Sequence, residues 1–249
     1  MRIPLIILLL VNCLAGSAQQ DPPEFRHNLV KVNLYSLLVK NYSVSYERFM
    51  TSRLSLQLGF RYQPYSYLFD NPLGKLITKH TSVNSEYLGF RTSNTALTLD
   101  LRYYTGKKPG RGFYAGVYGR YATFDMDNLS YSYVTGKYVS YSVPLVSNLT
   151  GYGGGFELGY QWVIKKRIVI EYYLLGGQYG KMTGSVTSNK DLSGLTPDER
   201  NDLKSNLEEM YTIAGSKYLT ANVTSDGVDG KISGPFWGIR SGLWIGIAF

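Results

Sequence analysis

The last 14 residues constrain the fold more than any other stretch of the chain. Read in steps of two, Phe249, Ile247, Ile245, Leu243, Ser241, Ile239 and Trp237 form one face, and Ala248, Gly246, Trp244, Gly242, Arg240, Gly238 and Phe236 form the other. A period of two marks a β-strand, because successive side chains leave opposite faces of the pleat. A soluble β-sandwich strand also has one apolar face, so alternation alone leaves two architectures open. Length favours one of them. Fourteen alternating residues exceed the common soluble strand, whereas a tilted membrane-spanning strand needs roughly 9 to 11.

Seven further segments share the pattern: Leu29 to Val39, Tyr42 to Phe49, Leu54 to Gln63, Thr95 to Tyr104, Phe113 to Phe124, Tyr152 to Val163 and Ile168 to Tyr179. In one, Leu54, Leu56, Leu58, Phe60 and Tyr62 alternate with Ser55, Gln57, Gly59, Arg61 and Gln63. This is a lipid-out, polar-in pattern. The chain also holds 23 Tyr and 27 Gly, which suits strands that end in interfacial tyrosine girdles and crowd around a narrow interior. The expected fold is all-β: an eight-stranded antiparallel up-and-down transmembrane β-barrel over residues 29–249, with a short helical insert in its last outer loop.

Connection lengths support that topology. Short turns fall at Met50 to Arg53, Thr105 to Gly112 and Ile164 to Arg167, and long outer loops at about 64–94, 125–151 and 180–234. The first outer connection, near Lys40-Asn41, is tight. In the longest loop Thr196 as N-cap, Pro197 at the first helical position and Glu199 three residues after the cap predict a helix reaching Ala214. Its stripe of Leu203, Leu207 and Met210 is expected either to pack on the barrel rim or to dock a protein partner. A hairpin is expected from Leu129 to Val134 and Tyr138 to Val143. Its Tyr131, Tyr133, Tyr138 and Tyr141 either grip a surface glycan or simply continue the strands above the membrane.

Charged residues divide by face. Assigning each polar face to the lumen collects Lys31, Arg61, Arg102, Arg120 and Arg240 with Glu47, Asp100, Glu157 and Glu171. An eight-stranded barrel is just wide enough for side chains to fill it, so these charges are expected to pair and plug the interior. The short turns carry Arg48, Arg53, Lys107, Lys108, Arg111, Lys165, Lys166 and Arg167, while the long loops are slightly acidic. That asymmetry implies contact with anionic lipid headgroups of the outer membrane or an acidic periplasmic partner, and not with nucleic acid.

The start of the chain points to export. Arg2, the apolar run Ile3 to Leu14, and Gly16-Ser17-Ala18 form a secretory signal with cleavage expected after Ala18, followed by a short periplasmic segment over residues 19–28. The run is too short for a spanning helix. Cys13, the sole cysteine, lies in the signal and raises lipidation as an alternative, although a barrel needs no tether. No metal, cofactor or catalytic site is expected: only His27 and His80 are present, and no metal-ligand or phosphate-loop motif occurs. The one enzymatic alternative is His80-Thr81-Ser82 with Glu86, because lipid A deacylases on small barrels carry a similar histidine-x-serine pair.

The order of motifs resembles the eight-stranded outer-membrane proteins of unknown function found in Bacteroidetes-type bacteria, and more broadly the OmpA/OmpX-like barrels of Gram-negative outer membranes. The resemblance is carried by His27-Asn28-Leu29-Val30-Lys31-Val32-Asn33-Leu34, by Ser45-Tyr46-Glu47-Arg48, and by Gln63-Pro64-Tyr65. Gly151-Tyr152-Gly153-Gly154-Gly155-Phe156 through Gly159-Tyr160-Gln161-Trp162 extends it, and the terminal Phe249 resembles the final aromatic of such barrels. It implies the barrel fold and an outer-membrane location, and carries no activity with it. The expected function is therefore structural or surface-interacting and not enzymatic. A narrow channel or transport accessory is the alternative.

Overall fold

A computed structural model describes residues 26–67, 91–106, 108–136, 138–213 and 215–249, the side chains of residues 128 and 213 excepted. The export signal, the segment up to residue 25, the His80-Thr81-Ser82 motif with Glu86, Lys107 and Ala214 lie outside the described residues. The elements are β1 (Asn28–Asn33), a helical turn α1 (Leu34–Leu37), β2 (Tyr42–Phe49), β3 (Leu54–Tyr67), β4 (Arg91–Tyr104), β5 (Gly112–Val134), β6 (Ser140–Ile164) and β7 (Ile168–Ser188). They continue with α2 (Pro197–Met210), β8 (Thr212–Ile213), β9 (Ser216–Lys217), β10 (Leu219–Thr224), β11 (Gly227–Pro235) and β12 (Gly238–Ala248).

Each strand from β1 to β6 pairs antiparallel with its successor, β7 pairs with β12, and β12 closes the ring on β1, from Leu29 opposite Ala248 to Asn33 opposite Trp244. The protein is a closed eight-stranded antiparallel barrel, β1 to β7 with β12. Closure leaves no unpaired edge in the wall, which is what allows strands to face hydrocarbon. The outward residues are apolar: Val44, Leu56, Leu58, Phe60, Leu97, Leu99, Leu101, Val117, Phe156, Ile245 and Ile247 are all exposed. At the short-turn end Tyr160 meets Phe113 edge to face and Trp162 at a tilt, with ring centroids 4.8 and 4.5 Å apart.

Inside, glycines make room for rings. A Cβ at Gly159 would meet the Tyr114 ring, one at Gly155 the Tyr118 ring and one at Gly151 the Phe236 ring. Four-residue spacing keeps the three notches on the inner face of β6, where two are filled by rings of the neighbouring β5 and the third by Phe236, between β11 and β12. On β7 a bulge makes Leu174 and Leu175 both face outward, so Tyr173 and Gly176 both point inward.

The wall is uneven in height. β1 and β2 have 6 and 8 residues, whereas β5, β6 and β7 have 23, 25 and 21. Strand is expected to Val39, but β1 stops at Asn33: the Asn33 side chain accepts from the Ser36 amide at 3.0 Å and caps the turn α1. An asparagine that can bond its own backbone diverts the chain from the ladder. Most of segment 125–151 is not loop, because β5 and β6 remain paired to Val134 opposite Ser140. β11 then adds to the upper half of β7, and β10 to β11.

This tall side carries a cap with its own core. α2 begins at the expected capping box, with the Glu199 amide donating to Thr196 Oγ1 and the Thr196 amide to Glu199 Oε2. Leu203 and Leu207, 0% and 1% exposed, pack with Val143, Leu145, Leu149, Val186, Leu219, Val228 and Ile232. Phe124 and Met182 touch both this core and a smaller apolar layer of Ala96, Ala122 and Phe236 in the upper lumen. The cap core and the upper lumen are thus continuous.

Candidate functional site

The lumen holds the chain's densest polar chemistry, in two layers. β1, β2, β4, β6 and β7 bring Lys31, Glu47, Arg102, Glu157, Gln161 and Glu171 together near the short-turn end, all at most 2% exposed. Lys31 Nζ donates to Glu47 Oε2 at 2.7 Å, to Gln161 Oε1 at 3.2 Å and to Glu171 Oε2. Arg102 forks onto Glu157, Nε to Oε1 at 2.6 Å and Nη2 to Oε2 at 3.4 Å, and its Nη1 donates to Glu171 Oε1 at 3.0 Å.

Neutral donors complete this lower layer. The Tyr104 and Ser55 hydroxyls donate to Glu47 Oε1, the Tyr114 hydroxyl to Glu171 Oε1, and the Arg102 guanidinium lies 4.5 Å from the Tyr114 ring centroid. Every oxygen of Glu47, Glu157 and Glu171 has a donor. Buried ions cost several kcal/mol each in lost hydration, roughly, and only saturated geometry of this kind offsets it. Beneath the layer an apolar floor of Leu29, Phe49, Val169 and Ala248 faces the short turns.

The upper layer is built differently. Arg61, Arg120 and Arg240 point inward with Asp100, Gln57, Tyr118 and Tyr173, and Arg240 lies 4.9 Å from the Tyr118 ring centroid and 5.4 Å from that of Tyr173. Asp100, 1% exposed, accepts from Gln57 Nε2 at 3.3 Å. Among the described residues no carboxylate lies within 4.0 Å of any of these three guanidiniums. The nine charged residues expected in the lumen all project inward. They do not form one hydrogen-bonded network: two cations serve three carboxylates below, and above them lie three cations and one carboxylate, Asp100, whose described hydrogen bond is to Gln57 and not to an arginine.

The other expected site residues divide. Arg48, Arg53, Lys108, Arg111, Lys165, Lys166 and Arg167 are exposed at the short-turn end, where Arg48 donates to Asn28 Oδ1 and Arg53 to the Tyr103 hydroxyl, each at 3.2 Å. Arg26, Lys108, Arg111, Lys165 and Lys166 rim a cavity of about 590 Å³ floored by Leu29, Phe49, Val163 and Ala248. Of the two expectations for this stripe, Leu203 and Leu207 follow packing, in the cap's own core, and are not free to dock a partner; Met210 alone of the three is exposed. Tyr133 is buried too, its hydroxyl donating to Asp202 Oδ2 at 3.0 Å, and burial with this carboxylate pushes its phenol up to about 12. Tyr131 and Tyr141 pack against the cap core, and Tyr138 at the hairpin tip is 92% exposed. Among the described residues no group of three His, Cys, Asp or Glu could hold a metal ion.

Sequence reasoning missed Tyr114 and Gln161, and left Tyr104, on the polar inward face of its strand beside Arg102, out of the charge network; all three share the inward faces already assigned to Arg102, Glu157 and their neighbours. Extending the same alternation to uncharged residues would have found them. A family model described as a protein of unknown function (DUF3575) matches residues 4–185. The crystal structure of the N-terminal β-barrel domain of Pseudomonas aeruginosa OprF is similar at 13% identity over 90% of this chain and 98% of that chain, with a TM-score of 0.32. No curated protein matches the chain.

Proposed function

The chain belongs to the family of unknown function DUF3575, and we propose that this member is an exported, non-enzymatic outer-membrane barrel whose outer cap is its interaction surface. The observation that carries the reading is the division of labour between wall and cap. The lower lumen is filled by mutually satisfied charges, while β5 to β7 rise well beyond the span a membrane requires and support a cap of β10, β11 and α2 packed on their outer ends. An extramembrane unit with its own core is a rigid base for recognition, which concentrates on exposed loops and hairpins. In this orientation the basic short turns face the periplasm and the inner-leaflet headgroups, and Tyr138 and Met210 face outward for a protein or glycan.

The test is gentle extraction of the tagged full-length protein from its native membrane, with size analysis and mass spectrometry of what accompanies it. The same is done for a Tyr138→Ser/Met210→Ser variant, which alters exposed side chains without touching the cap core. A partner or glycan that accompanies the wild type and is lost from a variant still migrating as a heat-resistant barrel supports the reading. A lone barrel in both preparations overturns the interaction role.

A further inference from the structure

The upper lumen is a cluster of positive charge that the chain itself leaves unneutralised. Arg61, Arg120 and Arg240 lie in one another's electrostatic field, and Tyr173 faces all three. Arg120 is 8% exposed, and its Nε has no hydrogen-bond partner among the described residues. Arg240 Nη1 and the hydroxyls of Tyr118 and Tyr173 are likewise buried without a partner. Four donors on β5, β7 and β12 are thus unsatisfied in one layer, where buried donors are almost always paired. Water would satisfy such hydrogen bonds, and the unpaired acceptors Asp100 Oδ1 and Gln57 Oε1 of the same layer, but not the charge: Arg240 lies in the field of Asp100 and Glu157, whereas Arg61 and Arg120 face other arginines and tyrosines, and the three cations outnumber the layer's one carboxylate.

We propose that this layer is a binding site for a small oxyanion of the phosphate, sulfate or carboxylate class. Planar guanidiniums present fixed forks of N–H groups that match the spacing of oxygens on one central atom, and phenolic hydroxyls add donors from another side. A single anion there offsets the excess charge and satisfies the donors together. The layer is not sealed: Arg61 and Arg240 are only half-buried, and they flank the low rim where β1 ends at Asn33. The saturated lower layer bars the opposite approach. The site is therefore reached from the long-loop end.

Inorganic phosphate is the probe, titrated at constant ionic strength into the full-length protein in detergent micelles. Binding is followed by phosphorus NMR line width and by the temperature at which heat-resistant migration is lost. Phosphate is expected to broaden its own resonance and raise the unfolding temperature, with sulfate competing and chloride at equal ionic strength ineffective. Removing one charged donor costs about tenfold or more in affinity, so Arg120→Gln should weaken binding by that factor. Asp100→Asn retains an oxygen for Gln57 but removes the repelling charge and should tighten binding several-fold. Lys165→Gln/Lys166→Gln, at the other end, should change nothing. No phosphate-specific effect on the wild type overturns the proposal, as does a response that survives Arg120→Gln or disappears with the lysine pair. If Arg120→Gln does not fold, the wild-type titration and Asp100→Asn still decide.

Discussion

Two layers of the same lumen, lined by the same strands, solve the problem of buried charge in different ways. The lower layer has more carboxylates than cations and satisfies every carboxylate oxygen with a lysine, an arginine, a tyrosine or a serine. The upper layer has more cations than carboxylates and leaves donors of Arg120, Arg240, Tyr118 and Tyr173 unpaired. One layer is complete within the chain, and the other is complete only with something added. Near-balance of charge over the whole lumen conceals this, because the sum of a negative layer and a positive layer looks like pairing.

Substitution separates the layers most sharply below. Arg102→Met removes the fork on Glu157 and the donor to Glu171, leaving buried carboxylates uncompensated, and is expected to cost about 3–5 kcal/mol. Urea unfolding of the protein refolded into vesicles measures it. Gly159→Ala acts on the same layer through packing, since the new Cβ would run into the Tyr114 ring whose hydroxyl holds Glu171. Overpacking of this kind costs about 1–3 kcal/mol, read from the same urea titration.

Arg120→Met should behave in the opposite sense to Arg102→Met. With oxyanions absent from the buffer it removes a buried cation that has no carboxylate partner, so stability should stay within about 1 kcal/mol of wild type or rise. A loss as large as that of Arg102→Met would erase the distinction between the layers.

The smallest effect lies in the cap and leaves both layers alone. Glu208 accepts from the Ala221 amide at 3.2 Å and from Lys217 Nζ at 3.4 Å, and the backbone hydrogen bond, aided by the lysine, holds its carboxyl below the ordinary range. A depressed carboxyl stabilises above its unfolded pKa, and that stabilisation is lost as pH falls through the folded value. The protection of amides in α2 and β10 against exchange, relative to the intrinsic rate at each pH, should therefore fall as pH drops through the acidic range, while the barrel strands keep theirs. Glu208→Gln should abolish the pH dependence.

Much of this was legible in the chain because alternation reports which face a residue occupies. The strand pattern of Leu54 to Gln63 and of the C-terminal segment put Arg61 and Arg240 inside, and the same rule put Lys31, Glu47, Arg102 and Glu171 there. Alternation does not report height. Whether Asp100 sits with Arg102 or with Arg120 depends on strand stagger around the ring and on the Leu174-Leu175 bulge, which no local pattern encodes. The cap was opaque for a related reason. A capping box announces α2, but the partners of Leu203 and Leu207 come from β6, β7, β10 and β11, brought together only when β11 pairs with the upper half of β7. The early end of β1 was hidden in one asparagine, since Asn33 suits a strand by period and a turn by chemistry.

The most direct test of the sealed lower layer is single-channel recording of the full-length protein in planar bilayers at neutral pH, with Arg102→Met beside it in the same preparation. The wild type should give no steady current, and the variant should open or flicker as Glu157 and Glu171 lose the cation that ties them across the lumen. A stable ohmic conductance in the wild type, unchanged by Arg102→Met, would contradict a lumen closed by that network.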